Sequence, residues 1–339
     1  MVKIALDAMG GDHGISVNVQ GAIDACRQWS DLEVSLVGDQ DRISDELKRH
    51  HIGSSLPIRI HHASEVVNMH ESPVDACRSK QDSSIMVCSK MVAEKQADGL
   101  VSAGNSGATM TSALLQLGRL EGISRPAIAT ILPTLDGQCV MLDMGANMDC
   151  KSKHLFQFAI MGSVYFEAIF KNSNPRVGLL SIGEEEGKGN ELTQETHQLL
   201  KNSSLNYIGH IEGRDIPMGK ADVIVCDGFV GNVVLKFGEG LSEALLKLIK
   251  REIKGHPLTI LGGMLVKGAF KHIKKKVDPA EYGGAPLLGV HGVSIVSHGG
   301  SSAYAIKNAL RVARELVKDN INDHIKTLLK NTSQNVIVA

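Results

Sequence analysis

The 339-residue chain is poor in aromatic side chains, 4% of its residues, and carries no excess of either charge, with 36 Lys and Arg against 37 Asp and Glu. Both features argue against nucleic acid as a partner, because that role needs a basic surface or stacking platforms. No pair among Cys26, Cys77, Cys88, Cys139, Cys150 and Cys226 has CxxC spacing, so neither a zinc ribbon nor a dithiol redox motif is indicated. Cys139 and Cys226 lie in or at the end of apolar runs, as small hydrophobes do in a reducing compartment. The longest apolar stretch to test as a membrane span, Leu258–Val266, is far short of the roughly 20 residues required. Met1–Leu6 leads into a strand-like run with no signal-peptide architecture, so a soluble, cytoplasmic protein is expected.

Nucleotide and nucleophile fingerprints are missing as well. No GxGxxG follows the first apolar run, and Gly213 to Gly219-Lys220 is one residue too long for a Walker loop and continues with Ala221. Gly299-Gly300-Ser301-Ser302-Ala303 lacks the last glycine of a nucleophile elbow, and Ser301 reads instead as a helix N-cap. The fourteen histidines gather mainly at His50-His51 and His61-His62, on expected surface connections.

What is present is alternation. Short apolar runs (Val2–Leu6, Leu32–Val37, Ile58–Ile60, Gly99–Val101, Ala127–Leu132, Val140–Leu142) alternate with helical patterns such as Ser16–Trp29, Asp75–Lys95 and Ser106–Leu120. The same rhythm continues through Val177–Leu180, Leu205–Ile211, Val223–Cys226 and Val293–Val296, with helical patterns ending at Ser301–Lys318. This predicts an α/β fold with a doubly wound, mostly parallel sheet. Residues 1–330 are expected to form one catalytic domain, with 238–290 as a protruding helical element and 331–339 as a tail. In the protrusion, Lys247, Lys250, Arg251 and Lys254 precede the apolar stretch, and Lys267, Lys271, Lys274, Lys275 and Lys276 follow it. Such a segment suits an anionic membrane surface, a dimer interface or a dock for an acidic partner.

Six loops that follow the apolar runs share one chemistry: Asp7–Asp12, Ser102–Gly107, Asp143–Asn147, Ser181–Asn190, Asp227–Asn232 and Ser297–Ser302. In open parallel sheets, ligands sit at the carboxyl ends of strands. Glycine lets the backbone come close to a ligand, and the first N–H groups of the following helix favour an anion. Gly10, Gly11, Gly104, Asn105, Ser106 and Gly107 are therefore candidates to bind phosphate. Asp143, Gly145, Gly189, Asn190, Asp227, Gly228 and Gly231 are further substrate-binding candidates. Lys188, between two glycines, is placed to offset phosphate charge or an oxyanion; Asn147 and Asn232 are oxyanion donors, and His298 is a candidate for proton transfer. Asp143, Asp149, Glu184, Glu185, Glu186 and Asp227 could ligate Mg²⁺, or Asp143 and Asp227 could orient loop backbone while the glutamates are solvated. No spacing specifies a metal cage, so the second reading is preferred, and no metal or cofactor is expected.

The loops resemble those of the bacterial phosphate acyltransferase family of phospholipid synthesis. The resemblance rests on Ala5–Asp12, Val101–Ala108, Arg125–Ala127, Leu142–Cys150, Gln157–Tyr165, Ile182–Gly189, Val225–Asn232 and Gly284–Gly289, and extends over about residues 1–318. Two departures are Ser106 and Val230, where the family commonly has Thr. The resemblance implies transfer of a long-chain fatty acyl group from acyl-carrier protein to inorganic phosphate, on a fold related to phosphate acetyltransferases and isocitrate dehydrogenases. It also implies a homodimer, peripheral contact with the inner membrane face, and a membrane glycerol-3-phosphate acyltransferase that takes the acyl phosphate. Three other readings compete: a short-chain acetyltransferase using coenzyme A, a nicotinamide-dependent decarboxylating dehydrogenase, and a non-catalytic membrane scaffold. The missing metal spacing argues against the dehydrogenase, and the donor-rich loops would have no purpose in a scaffold.

Overall fold

The computed structural model describes residues 1–50 and 56–337; His51 lies outside the described residues, as do the side chains of Lys274 and of residues 333–337. In chain order the first strands are β1 (Val2–Asp7), β2 (Leu32–Gly38), β3 (Ile58–His62), β4 (Gly99–Ser102), β5 (Ala127–Ile128) and β6 (Thr130–Pro133). The remainder are β7 (Gln138–Leu142), β8 (Val177–Leu180), β9 (Tyr207–Ile211), β10 (Val223–Val225), β11 (Ala285–Leu288) and β12 (Val293–Val296). The helices of the first half are α1 (Ile15–Gln28), α2 (Gln40–Arg49), α3 (Pro73–Ser79), α4 (Ser84–Ala93), α5 (Ser106–Gln116) and α6 (Ser152–Phe170). Those of the second half are α7 (Glu191–Lys201), α8 (Gly228–Lys254), α9 (Pro257–Leu265), α10 (Lys267–Val277), α11 (Ala303–Lys318) and α12 (Ile321–Ile337).

The strands form two sheets. One has seven strands in the order β3-β2-β1-β4-β12-β11-β5, the other five in the order β6-β7-β10-β8-β9. Pairing is parallel from β3 to β12 and from β7 to β9, whereas β11 and β6 run antiparallel to their neighbours. The apolar run Ala127–Leu132 is cut between the sheets: Ile128 pairs with Leu287 of β11, and Thr130 with Met141 of β7. No Gly, Pro or Asn marks that crossing, because a chain passing from one buried sheet to another needs no exposed turn.

Burial explains the helices. From Leu155 to Phe166 every residue of α6 is buried, including Phe158 and Tyr165, as befits a helix that is apolar all round and enclosed by sheet and helices. On α11 the buried set Ala305, Ile306, Ala309, Leu310, Val312, Ala313 and Leu316 forms a stripe of helical period, packed with α1 over the seven-stranded sheet. Apolar side chains from both sheets belong to one continuous cluster, running from Ile4 and Leu36 to Val140 and Val223.

Several boundaries differ from those expected. The pattern Asp75–Lys95 is two helices, broken at Lys80–Ser83, where Ser83 donates its hydroxyl back to Lys80 O at 2.7 Å. Helix α11 starts at Ala303 with Ser302, not Ser301, as its N-cap. His61 and His62 lie in β3 and not in a connection. The protruding element consists of α8, α9 and α10, and its return is core: β11, inside the expected 238–290 boundary, pairs with both β12 and β5. Helix α12 runs to Ile337, through most of the expected tail.

Helix α8 is unusually exposed. Phe229, Val233, Phe237, Leu241, Leu245 and Leu248 lie along one face at intervals of three or four residues, all open, and only Gly228 and Gly231 of this helix are buried. Leu258, Leu261 and Leu265 of α9 extend this apolar surface. Among the described residues, no helix is long and apolar enough to cross a membrane.

Candidate active site

The six loops are not at one edge, as the sequence suggested, but divide three and three. Those after β1, β4 and β12 stand together on the seven-stranded sheet, and those after β7, β10 and β8 on the five-stranded sheet. The cause is the crossing after Ile128, which starts a second sheet with its own carboxyl edge.

A buried aspartate organises each group. Asp7 ends β1, and its carboxylate accepts from Met9 N at 3.2 Å, Gly10 N at 3.1 Å and Ser102 Oγ at 2.7 Å. Gly104 N in turn donates to Ser102 Oγ at 3.0 Å, so the first and second loops share one network. A Cβ on Gly10 would stand 2.7 Å from Gly104 N, which is why that position must be glycine. The third loop joins through Asp12 N, which donates to Gly299 O at 2.8 Å. Burial pushes the Asp7 carboxyl above the ordinary aspartate range, against the lowering effect of these donors.

Asp143 plays the matching part after β7. Its carboxylate accepts from Ile128 N at 3.0 Å, Ala146 N at 3.1 Å, Asn147 N at 2.7 Å and Asn147 Nδ2 at 2.8 Å. Burial again raises its pKa. With this many donors the Asp143 carboxylate holds the backbone of its loop. Asp227 caps α8 by accepting from Val230 N at 2.9 Å. Gly228 and Gly231 belong to packing as well: a Cβ on Gly231 would run into the carbonyl oxygen of Asp143, and one on Gly228 would stand 2.7 Å from Asn147 O.

Two candidate donors are already committed. Asn147 gives its amide hydrogens to Asp143 and, at 2.7 Å, to Pro126 O, leaving none for an oxyanion. Asn105 caps α5 by accepting from Ala108 N at 3.1 Å, and its amide donates to Met69 O and Glu71 O, both at 3.1 Å. Asn190 caps α7 through its oxygen alone, accepting from Thr193 N at 3.0 Å, and its amide hydrogens have no partner among the described residues. In each case a buried or helix-end backbone group takes the side chain first, because leaving it unpaired costs about 1–3 kcal/mol.

The uncommitted groups are fewer. Ser106 is exposed at the first position of α5, and the N–H groups of Ser106 and Gly107 have no acceptor among the described residues. Asn232, half-buried on α8, faces Gly145, and its amide has no partner among the described residues. The φ of +120° at Gly145 is one only glycine adopts readily. Lys188 is exposed and, among the described residues, has no carboxylate within 4 Å, whereas Glu184 pairs with Lys220 and Glu186 with Lys201, both at 2.7 Å. Those two pairs tie down the loop that carries Lys188, so these glutamates are not simply solvated. His298 is exposed and accepts from Gly300 N at 3.0 Å through Nδ1, which leaves Nε2 outward. Among the described residues, no hydrogen bond or ion pair joins His298 or the Gly10–Gly11 loop to the loops of the five-stranded sheet.

A cleft of about 370 Å³ is bounded by α5 (Met110, Leu114), the β7 loop (Ala146, Asn147), Leu287 of β11, and Arg119, Ser124, Arg125 and Pro126. Arg119 and Arg125 line it; no sequence motif marks Arg119, which follows the end of α5.

Comparison with known proteins accords with this geometry. The model of the family described as "Fatty acid synthesis protein" matches residues 2–324. The chain is 53% identical to the "Phosphate acyltransferase" of Trichlorobacter lovleyi, over 96% of this chain and 93% of that one. It is 54% identical to that of Desulfitobacterium hafniense, over 96% and 97%. In fold it is similar to the EutD phosphotransacetylase from Staphylococcus aureus, with TM-score 0.61 and 18% identity over 93% of this chain and 94% of that one. It is also similar to a branched-chain phosphotransacylase from Enterococcus faecalis, with TM-score 0.58 and 14% identity over 94% and 99%. With the family model spanning nearly its whole length, and relatives more than half identical from end to end, the chain belongs to the fatty acid synthesis protein family and, within it, to the phosphate acyltransferases.

Proposed function

We propose that this protein transfers a long-chain fatty acyl group from the thioester of acyl-carrier protein to inorganic phosphate, giving acyl phosphate. The observation that carries the reading is the set of unspent donors on the strand-end loops of the two sheets. The first N–H groups of α5 and the Ser106 hydroxyl are open on the seven-stranded sheet, and Lys188 and Asn232 are open on the five-stranded sheet. Phosphate takes the α5 end, where unpaired N–H groups and the helix dipole favour an anion. Phosphate is itself an oxygen nucleophile, so no activated serine or cysteine is needed. One of its oxygens attacks the thioester carbon, the carbonyl oxygen takes up negative charge, and collapse expels the thiolate of the carrier. Asn232 and Lys188 stabilise that oxyanion, an effect typically worth about 3 kcal/mol per donor. Holding the two reactants together lowers the barrier further. His298, through its outward Nε2, is the group assigned to proton transfer to the leaving sulfur.

Residues 1–330 act as one catalytic domain. The exposed apolar face of α8 is covered by a second copy of the chain, and the lysine-flanked α9 and α10 contact anionic membrane. Acyl phosphate then passes to a membrane glycerol-3-phosphate acyltransferase. The test is to incubate the protein with phosphate and long-chain acyl-carrier protein and trap the product with hydroxylamine. Phosphate-dependent hydroxamate is expected; none from this donor, with activity on acetyl-coenzyme A, would assign a short-chain acetyltransferase instead.

A further inference from the structure

The cleft has an asymmetric lining whose chemistry specifies more than a phosphate site. Met110 and Leu114 line the cleft one turn apart on α5, and Ser106, with the open donors of the first turn, lies one turn before Met110 along the same face of that helix. Eight residues of helix span about 12 Å, the length of three to four extended peptide units. Pro126, Ala146 and Leu287 form the other apolar walls. At the far end stand two guanidinium groups and no carboxylate: Arg119 and Arg125 both line the cleft, and neither has an ion-pair partner among the described residues. Arg119 is held by a hydrogen bond from Nη1 to Ser124 O, whereas the Arg125 side chain makes no hydrogen bond among the described residues. The positive potential is shared by the start of α6. The His154 imidazole is held below the ordinary histidine range by burial, and then by Arg125, Lys151 and Lys153.

An apolar track with unpaired, fork-shaped cations only at its outer end fits a ligand that is apolar along its length and anionic at one end. We infer that this cleft holds the arm that carries the thioester, with the reacting carbon at Ser106 and a phosphate-bearing end of the arm gripped by Arg125 and Arg119. Guanidinium suits that task because its planar donors meet two phosphate oxygens at once. Inorganic phosphate, bound at the other end of α5, does not need this pair. The inference rests on the acyl-transfer reading above and adds to it the site and chemical class of the donor arm.

The experiment compares two acyl donors, one on a phosphopantetheine arm and one on neutral N-acetylcysteamine, which lacks the phosphate. Arg125→Ala is expected to lower the ratio of kcat/KM for the anionic donor to that for the neutral donor by at least tenfold, with KM for inorganic phosphate within twofold of wild type. Arg125→Lys should give an intermediate ratio, and added salt should shrink the wild-type ratio toward that of the alanine variant. An equal fall with both donors would show a structural role and overturn the inference, as would a raised KM for inorganic phosphate. If wild type forms no acyl phosphate from either donor, the acyl-transfer reading fails. Binding of unreactive S-dodecyl phosphopantetheine then decides the arm site by itself: at least tenfold weaker binding to Arg125→Ala supports it, and unchanged binding refutes it.

Discussion

Replacing Gly231 by alanine sets two effects of opposite sign against each other. In a helix interior, alanine is favoured over glycine by about 1 kcal/mol. At Gly231, however, the added carbon meets the carbonyl oxygen of Asp143 and stands 3.1 Å from the Cys226 sulfur. That carbonyl cannot swing aside as the tip of a flexible side chain would. Asp143 N donates to Cys226 O at 3.0 Å, and the Asp143 carboxylate is fixed by donors from Ile128, Ala146 and Asn147. Overpacking of this kind costs about 1–3 kcal/mol, so it offsets the propensity gain and leaves a net loss of up to about 2 kcal/mol. Gly240 on the same helix supplies the control, since nothing lies within 4 Å of a carbon added there. Gly240→Ala keeps the full propensity gain of about 1 kcal/mol, which separates the two variants by the overpacking cost, about 1–3 kcal/mol. The assay is chemical denaturation, read as a change in midpoint at constant slope. Gly231→Ala should also lose turnover, because the Asp143–Asn147 loop must shift away from Asn232. A Gly231→Ala protein as stable as Gly240→Ala would refute the packing argument.

Asn232→Ala should cut kcat by about 10²–10³-fold with little change in stability, as expected for loss of an oxyanion donor. Asn147→Ala should instead lower the unfolding free energy by about 1–3 kcal/mol, because it strips partners from buried Asp143 and Pro126 O; paired kinetics and denaturation separate the two. Lys188→Ala should reduce turnover at least about tenfold in the hydroxamate assay, and near-normal turnover would remove Lys188 from the mechanism. Asp7→Asn tests linkage. Burial raises the Asp7 pKa in the folded state, so the stability from its protonated form is full below the unfolded value of about 3.9 and is lost as pH rises through the folded value. The wild-type advantage over Asp7→Asn should therefore shrink from about pH 4 upward, and an advantage that grew with pH would show that the folded carboxyl is depressed instead.

The elements most legible in the sequence were those whose burial leaves a period. Strands β1, β2, β7, β8, β10 and β12 show as apolar runs, and α11 shows as a stripe. The crossing from β5 to β6 was hidden because both halves are buried and equally apolar. Strand β11 was hidden because it starts with Ala285-Pro286, which reads as a turn; the strand tolerates the proline because Pro286 O still accepts from Ala129 N. At the site, glycines gave the loops away, but the roles of the asparagines were not readable. Asn105, Asn147, Asn190 and Asn232 are the same side chain in similar loops, yet the first two spend their amides on neighbouring groups, Asn190 spends only its oxygen as a helix cap, and Asn232 is open. Composition cannot separate them, since satisfying the backbone and binding a ligand use the same donors.

The scarcity of cations at the unspent end of the cleft follows from what phosphate has to do there. A cage of arginines would bind the anion tightly, but the same cations would hold its oxygens in the ground state as firmly as in the transition state, and uniform binding does not raise turnover. Neutral N–H groups at the start of α5 and the Ser106 hydroxyl position phosphate while leaving its oxygens free to attack. Lys188 and Asn232, on the other sheet, are placed where charge develops only as the carbonyl is attacked. The two sheets thus divide the work. The seven-stranded sheet holds the nucleophile weakly, the five-stranded sheet stabilises the oxyanion, and the strong cations, Arg119 and Arg125, stand at the far end of the cleft, where tight grip costs no reactivity.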